Sequence, residues 1–247
     1  MGMLLRWGGV RTLVGALFLC MAGFTYALTP PKETPVGSSP LGIAFSVKMT
    51  GPYAQDCDLQ IICALKHKAA GDSYLGAMKD FDAKVGGLLS SLRNRGEFAG
   101  ELGESILFVP PSDSIPAKRV LVIGLGDEAS LSLDSLRLVG RISAREAVRL
   151  KASRVGFAPV IRDEGNTTID VGEGDRAFVE NVLSSYDTEL RLQAQGLEEK
   201  FAIKEWVIEA GPTYFDSAVE KIGKGIEATL PILSGREKTP YSTIIKK

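Results

Sequence analysis

The sequence predicts an α/β sandwich with a largely buried sheet, and three observations carry that expectation. Short apolar runs bounded by glycine or proline, such as Arg119 to Ile123, have the length and composition of buried strands. Longer segments with apolar residues every three to four positions, above all Ser132 to Lys151, have the period of helices. The two kinds alternate along the chain, which is the pattern of a sheet covered by helical crossovers.

Taken in order, residues 28–41 are rich in proline, serine and threonine and read as a flexible linker. An α/β domain is expected over residues 42–230. Gly42 to Met49 alternates in polarity and reads as a strand, and Asp58 to Leu65 as a second. In Asp80 to Arg93, Phe81, Val85, Leu88, Leu89 and Leu92 recur at helical spacing, so one helix is expected despite Gly86-Gly87. Ser105 to Val109 and Arg119 to Ile123 are short strands. Ser132 to Lys151 is the clearest helix, lined by Leu136, Val139, Gly140, Ala147 and Leu150, with Ser132 placed to cap its first amides. Arg154 to Val160 is a strand. Glu173 to Tyr186, Ala202 to Ala210 and Thr213 to Ala228 read as helix, strand and helix. Residues 231–247 form a polar, proline-bearing tail.

The chain is 45% hydrophobic and 24% charged, which supports a sizeable core. Its net charge of −1 provides no field to attract nucleic acid. Residues 1–27 read as a signal peptide: Arg6 and Arg11 precede the apolar stretch Thr12 to Phe24, and Thr25-Tyr26-Ala27 offers a cleavage site before Leu28. The destination is periplasmic, secreted or lumenal, and membrane contact follows only if the segment stays uncleaved. Cleavage leaves 27 basic against 30 acidic residues, or −3. Cys57 and Cys63 then remain. Six extended residues span about 20 Å, far beyond the reach of a disulfide, so two free thiols are expected. Cys63 reads as a buried apolar filler.

The stretch KRVLVIGLGDE, residues 118–128, holds Gly124, Gly126 and Ala129 at the spacing of a dinucleotide-binding turn. That chemistry requires a helix starting at the glycines, with its amides facing a pyrophosphate. Here the helix cap lies further on, at Ser132, and Asp127 and Glu128 would repel phosphate. No Lys-Ser/Thr pair follows, which excludes the phosphate loop of nucleotide hydrolases. Gly124 and Gly126 are then explained as a tight exit from a central strand. With Asp127, they are also the candidate ligand-binding residues. His67, the single histidine, lacks an oriented carboxylate and nucleophile around it. Arg137, Arg141, Arg145 and Arg149 recur every fourth position. They form either a docking stripe for an acidic partner or lipid headgroup, or a solvated face paired to carboxylates elsewhere in the fold. Asn166-Thr167-Thr168 is a glycosylation sequon. No cluster of metal-ligand spacing is visible, and neither a metal nor a cofactor is expected.

Between Gly96 and Leu150, GEFAGELGESILFVP, AKRVLVIGLGDE and LDSLRLVGRISAREAVRL occur in order. Together with FDAKVGGLLSSL upstream, SSYDTE at Ser184 to Glu189 and AVEKIGKGIEATLPI downstream, the sequence resembles the amino-terminal domain of the leucyl (cytosol) aminopeptidase family. The resemblance implies a three-layer α/β/α sandwich with a mixed, mostly parallel sheet of macro-domain character. It also implies a non-catalytic domain, because that family's metal ligands and its Asn-Thr-Asp-Ala-Glu-Gly-Arg signature belong to a carboxy-terminal domain with no counterpart here. The resulting expectation is a protein without peptidase activity, acting through a protein partner or self-association. The alternative is a module for ADP-ribose or a similar nucleotide, using the loop at Gly124 to Asp127. A hydrolase with a cryptic site is a third reading.

Overall fold

In a computed structural model of the chain, residues 31–66 and 73–236 are described; the expected signal peptide, His67 and residues 237–247 of the tail lie outside them. Seven strands form a single sheet: β1 (Glu33–Ser38), β2 (Ala44–Lys48), β3 (Leu59–Ala64), β4 (Ser105–Phe108), β5 (Val120–Gly124), β6 (Arg154–Ala158) and β7 (Glu205–Glu209). Their spatial order is β1-β2-β7-β6-β3-β5-β4. The five inner strands run parallel, and β1 and β4 pair antiparallel at the two edges. The helices are α1 (Gly76–Lys84), α2 (Leu88–Asn94), α3 (Leu133–Arg149), α4 (Val171–Ala194) and α5 (Phe215–Gly235).

Alternation along the strands sorts the core into two layers. Leu59, Ile61, Cys63, Trp206 and Ile208 face α3, α4 and α5, whereas Ile62, Ala64, Val120 and Val122 face α1 and α2. The fold is thus a three-layer sandwich with a mixed, mostly parallel sheet. The α3–α4 contact depends on Gly140, where an added Cβ would stand 2.4 Å from the Phe178 carbonyl oxygen. On the far side of α4, the Phe178 ring stacks on Phe157.

Three sequence expectations change. Residues 33–38, expected within a linker, form the edge strand β1. Pro35 has no amide to offer a second neighbour, and the register shifts between Pro35 and Gly37, both of which an edge tolerates. The single helix expected over Asp80 to Arg93 is two helices. Gly86 and Gly87 take positive φ (76° and 74°), and the Asp82 carboxylate accepts the Leu89 amide at 2.9 Å to open α2. The final helix runs past Ala228 to Gly235 and includes Pro231, so the first residues of the expected tail are helical. Arg236 anchors that end by donating to the Ser184 carbonyl (2.9 Å) and to Asp187 (2.7 Å).

Connections leaving neighbouring strands diverge. The chain leaves β3 towards α1 on one face and leaves β6 towards α4 on the other. In a parallel sheet this switch point opens a crevice beyond the carboxyl ends of the strands.

Candidate functional site

A cleft of about 240 Å³ lies on the β6 side of that switch point, beyond the carboxyl ends of β2, β7 and β6. It is walled by the segments following β2 (Thr50 to Tyr53), β6 (Pro159 to Asp163) and β7 (Ala210, Gly211, Tyr214), with Leu136 of α3 and the first turns of α4 behind them. The walls are mainly apolar, as expected of a small-molecule site.

The segment after β6 is held by its own polar groups. Arg162 donates to the carbonyls of Asn166 (2.5 Å) and Ile169 (2.6 Å), with its guanidinium 5.7 Å from the Tyr214 ring centroid. Asp163 accepts the Ala77 amide at the start of α1, and its carbonyl accepts the Leu75 amide at 2.8 Å. Val160 sits at φ 46°, a left-handed conformation that a β-branched residue adopts only under constraint. Such strain concentrates where a backbone is held for function.

Two acids in the lining have no such employment. Asp175, five residues beyond the Asp170 cap of α4, is 1% exposed, and neither carboxyl oxygen has a hydrogen-bond partner among the described residues. Burial raises its pKa well above the ordinary carboxylate range, and Asp170 adds to the shift. Glu209 ends β7 on the opposite sheet face from Trp206 and Ile208, and it is 5% exposed. Burial raises it to about 8, with Gln60 and Lys48 opposing. Gln60 lies close enough to oppose the shift, yet its amide nitrogen donates to the Ile61 carbonyl (3.3 Å). Neither Glu209 oxygen meets hydrogen-bonding geometry. Buried acids of this kind mark candidate functional sites.

The residues expected from sequence fall elsewhere. Gly124 and Gly126 end β5 against residues 100–102, where a Cβ on Gly124 would stand 2.1 Å from the Glu101 carbonyl oxygen. Asp127 caps a short 3₁₀ turn by accepting the Ala129 amide at 2.9 Å. None of the three lines the cleft. The arginine stripe is engaged within the domain. Arg137 pairs with Asp134 (2.7 Å), Arg141 donates to Asn181 (2.9 Å), Arg145 faces Glu189 (3.7 Å) and Arg149 pairs with Glu146. Cys57 and Cys63 are both free and buried. Thr167 and Thr168 are exposed, but Asn166 itself is 2% exposed, with its side-chain oxygen Oδ1 accepting the Thr168 amide at 3.1 Å, so the acceptor asparagine of the sequon is sequestered in the fold. Among the described residues no group of three or more His, Cys, Asp or Glu side chains is arranged to hold a metal ion.

Sheet order and cleft together define a macro-domain-like α/β protein. The fold superposes on an Oceanobacillus iheyensis macrodomain with ADP at a TM-score of 0.57 and 12% identity, covering 81% of this chain and 100% of that one. Residues 66–186 match the model of the cytosol aminopeptidase family, N-terminal domain. It is 31% identical over 114 residues to a probable cytosol aminopeptidase of Thermosynechococcus vestitus, covering 45% of this chain and 21% of the relative. Against chloroplastic leucine aminopeptidase A1 of Solanum lycopersicum it is 26% identical over 172 residues, 68% of this chain and 28% of the relative. A tomato leucine aminopeptidase structure superposes at a TM-score of 0.54 and 21% identity, over 87% of this chain and 40% of that one. The chain thus spans 21% and 28% of the length of these two curated relatives.

Proposed function

We propose that this domain is a non-catalytic small-molecule-binding module whose ligand occupies the cleft beyond β2, β6 and β7. The observation that carries the reading is the convergence there of an apolar cavity with Asp175 and Glu209, two buried acids whose carboxyl oxygens lack protein partners. An unpaired buried polar group costs free energy, and a ligand that satisfies it recovers that cost. The ADP in the Oceanobacillus structure makes nucleotides a natural first class to try. ADP itself suits this cleft poorly, because Arg162, the only Lys or Arg among the described lining residues, already spends its guanidinium on two backbone carbonyls. A thermal-shift panel covering ADP-ribose, nucleosides, amines and amino-acid amides tests the reading. A true ligand at a hundredfold excess over its Kd adds about 2.7 kcal/mol. At roughly 2–4 °C per kcal/mol for a domain of this size, the melting temperature should rise by several degrees. A panel in which no compound moves it would overturn the proposal.

Action through a protein partner or self-association is a second reading, and it rests on the β4 edge. Leu102, Leu107 and Val109 are 52%, 40% and 74% exposed beside a strand paired on one side only. Velocity sedimentation should then show association that Val109→Lys abolishes; a monomer at all concentrations would remove self-association.

A further inference from the structure

Resting on the cleft as the ligand site, we infer that its ligand is an organic cation: a primary ammonium, carried on a compact apolar body, that pairs with Asp175. Three observations converge on this chemistry. The first is the charge balance of the lining, which holds Asp163, Asp175 and Glu209 against the single arginine, Arg162. Arg162 is turned to the carbonyls of Asn166 and Ile169, and Asp163 is spent on α1. Burial holds the two acids left over toward their neutral forms, so the charge of the interior is set by what pairs with them, and a positive ligand is the kind that draws a buried carboxyl into its ionised form.

The second observation is the state of Asp175. It is 1% exposed, lines the cleft, and neither of its oxygens is hydrogen-bonded. Among the described residues, the nearby charge that acts on it is Asp170, of the same sign. Glu209, by contrast, feels Lys48 and Gln60. A carboxylate buried alone is strongly disfavoured, whereas one paired with an ammonium in the same low-dielectric space is stabilised by both Coulomb attraction and charge-assisted hydrogen bonds. An ammonium brings three N–H donors and no acceptor, which suits two orphaned carboxyl oxygens.

The third observation is the remaining wall. Leu136, Val160, Ile161 and Val171 offer apolar contact to the body of such a ligand; Tyr53 and Tyr214 complete the wall, their rings already facing Lys84 (5.5 Å) and Arg162 (5.7 Å). A volume near 240 Å³ has room for a branched alkyl chain of a few carbons.

The test compares 3-methylbutylamine with its neutral isostere 3-methylbutanol by calorimetric or NMR titration of the full chain at pH 7. The amine is expected to bind at least tenfold more tightly than the alcohol, and Asp175→Asn to erase that preference. Glu209→Gln should weaken the amine less. Gly174→Leu serves as the occupancy control: Gly174 lines the cleft, and a Cβ there would meet only the Ile169 and Leu136 side chains, each at 3.7 Å, so the substitution adds bulk at the lining from a position where the Cβ itself meets no backbone. Equal binding of amine and alcohol, both lost in Gly174→Leu, would leave the cleft as a ligand site and overturn the cation. Amine binding that persists unchanged in Gly174→Leu would overturn the cleft reading itself. A wild-type protein that binds neither compound would overturn the inference directly, whether or not Asp175→Asn folds.

Discussion

Glu209→Gln should make the domain markedly more stable than wild type at pH 8 and leave it almost unchanged near pH 4. The sign follows from proton counting. A free glutamate loses its proton near 4.5, whereas Glu209 in the fold holds it to about 8. Between those values the folded state binds one more proton than the unfolded state, so stability falls as pH rises. The slope for one proton is about 1.4 kcal/mol per pH unit, which over this window sums to several kcal/mol. Asp175, also raised by burial, tilts the curve in the same direction and is untouched by the substitution. Urea titrations of both proteins at pH 4, 6 and 8 would measure the divergence. Parallel curves would mean that Glu209 is ionised in the fold and that its burial has been compensated by a partner.

Gly124→Ala should destabilise the domain by about 1–3 kcal/mol, or more, without changing the chemistry of any ligand site. The new methyl would meet the Glu101 carbonyl oxygen at 2.1 Å and the Gly100 carbonyl carbon at 2.6 Å. Both are backbone atoms, held because the Gly103 amide donates to the Gly124 carbonyl (2.9 Å) and the Gly124 amide to the Glu104 carbonyl (2.7 Å). Relief therefore requires moving the strand or the turn, not a side chain. A variant of wild-type stability that had lost affinity for a nucleotide would instead restore Gly124, Gly126 and Asp127 as a phosphate cradle.

Much of the sheet was legible because buried parallel strands are written as continuous apolar runs. β3, β5, β6 and β7 fall within a few residues of where those runs lie. β1 was hidden by Pro35, since proline reads as a breaker unless the strand is known to be an edge. The break between α1 and α2 was written in Gly86-Gly87, but helical periodicity on both sides masked it. The cleft was not legible. Asp175 and Glu209 belong to different elements, and what distinguishes them is burial without a partner, which no spacing encodes. One weak signal existed: Glu209 closes the apolar run Trp206-Val207-Ile208, an ionisable group at the end of an otherwise buried strand. The glycine turn drew attention because its spacing is conspicuous, yet the coordinates explain it as close packing of backbone on backbone.

The measurement that bears most directly on the cleft is the thermal-shift panel run in parallel on wild type and Gly174→Leu. Any compound that raises the melting temperature of the wild type by several degrees should fail to move that of Gly174→Leu, whose unliganded melting temperature should be little changed. An equal rise in both proteins would place the ligand outside the cleft and contradict the assignment.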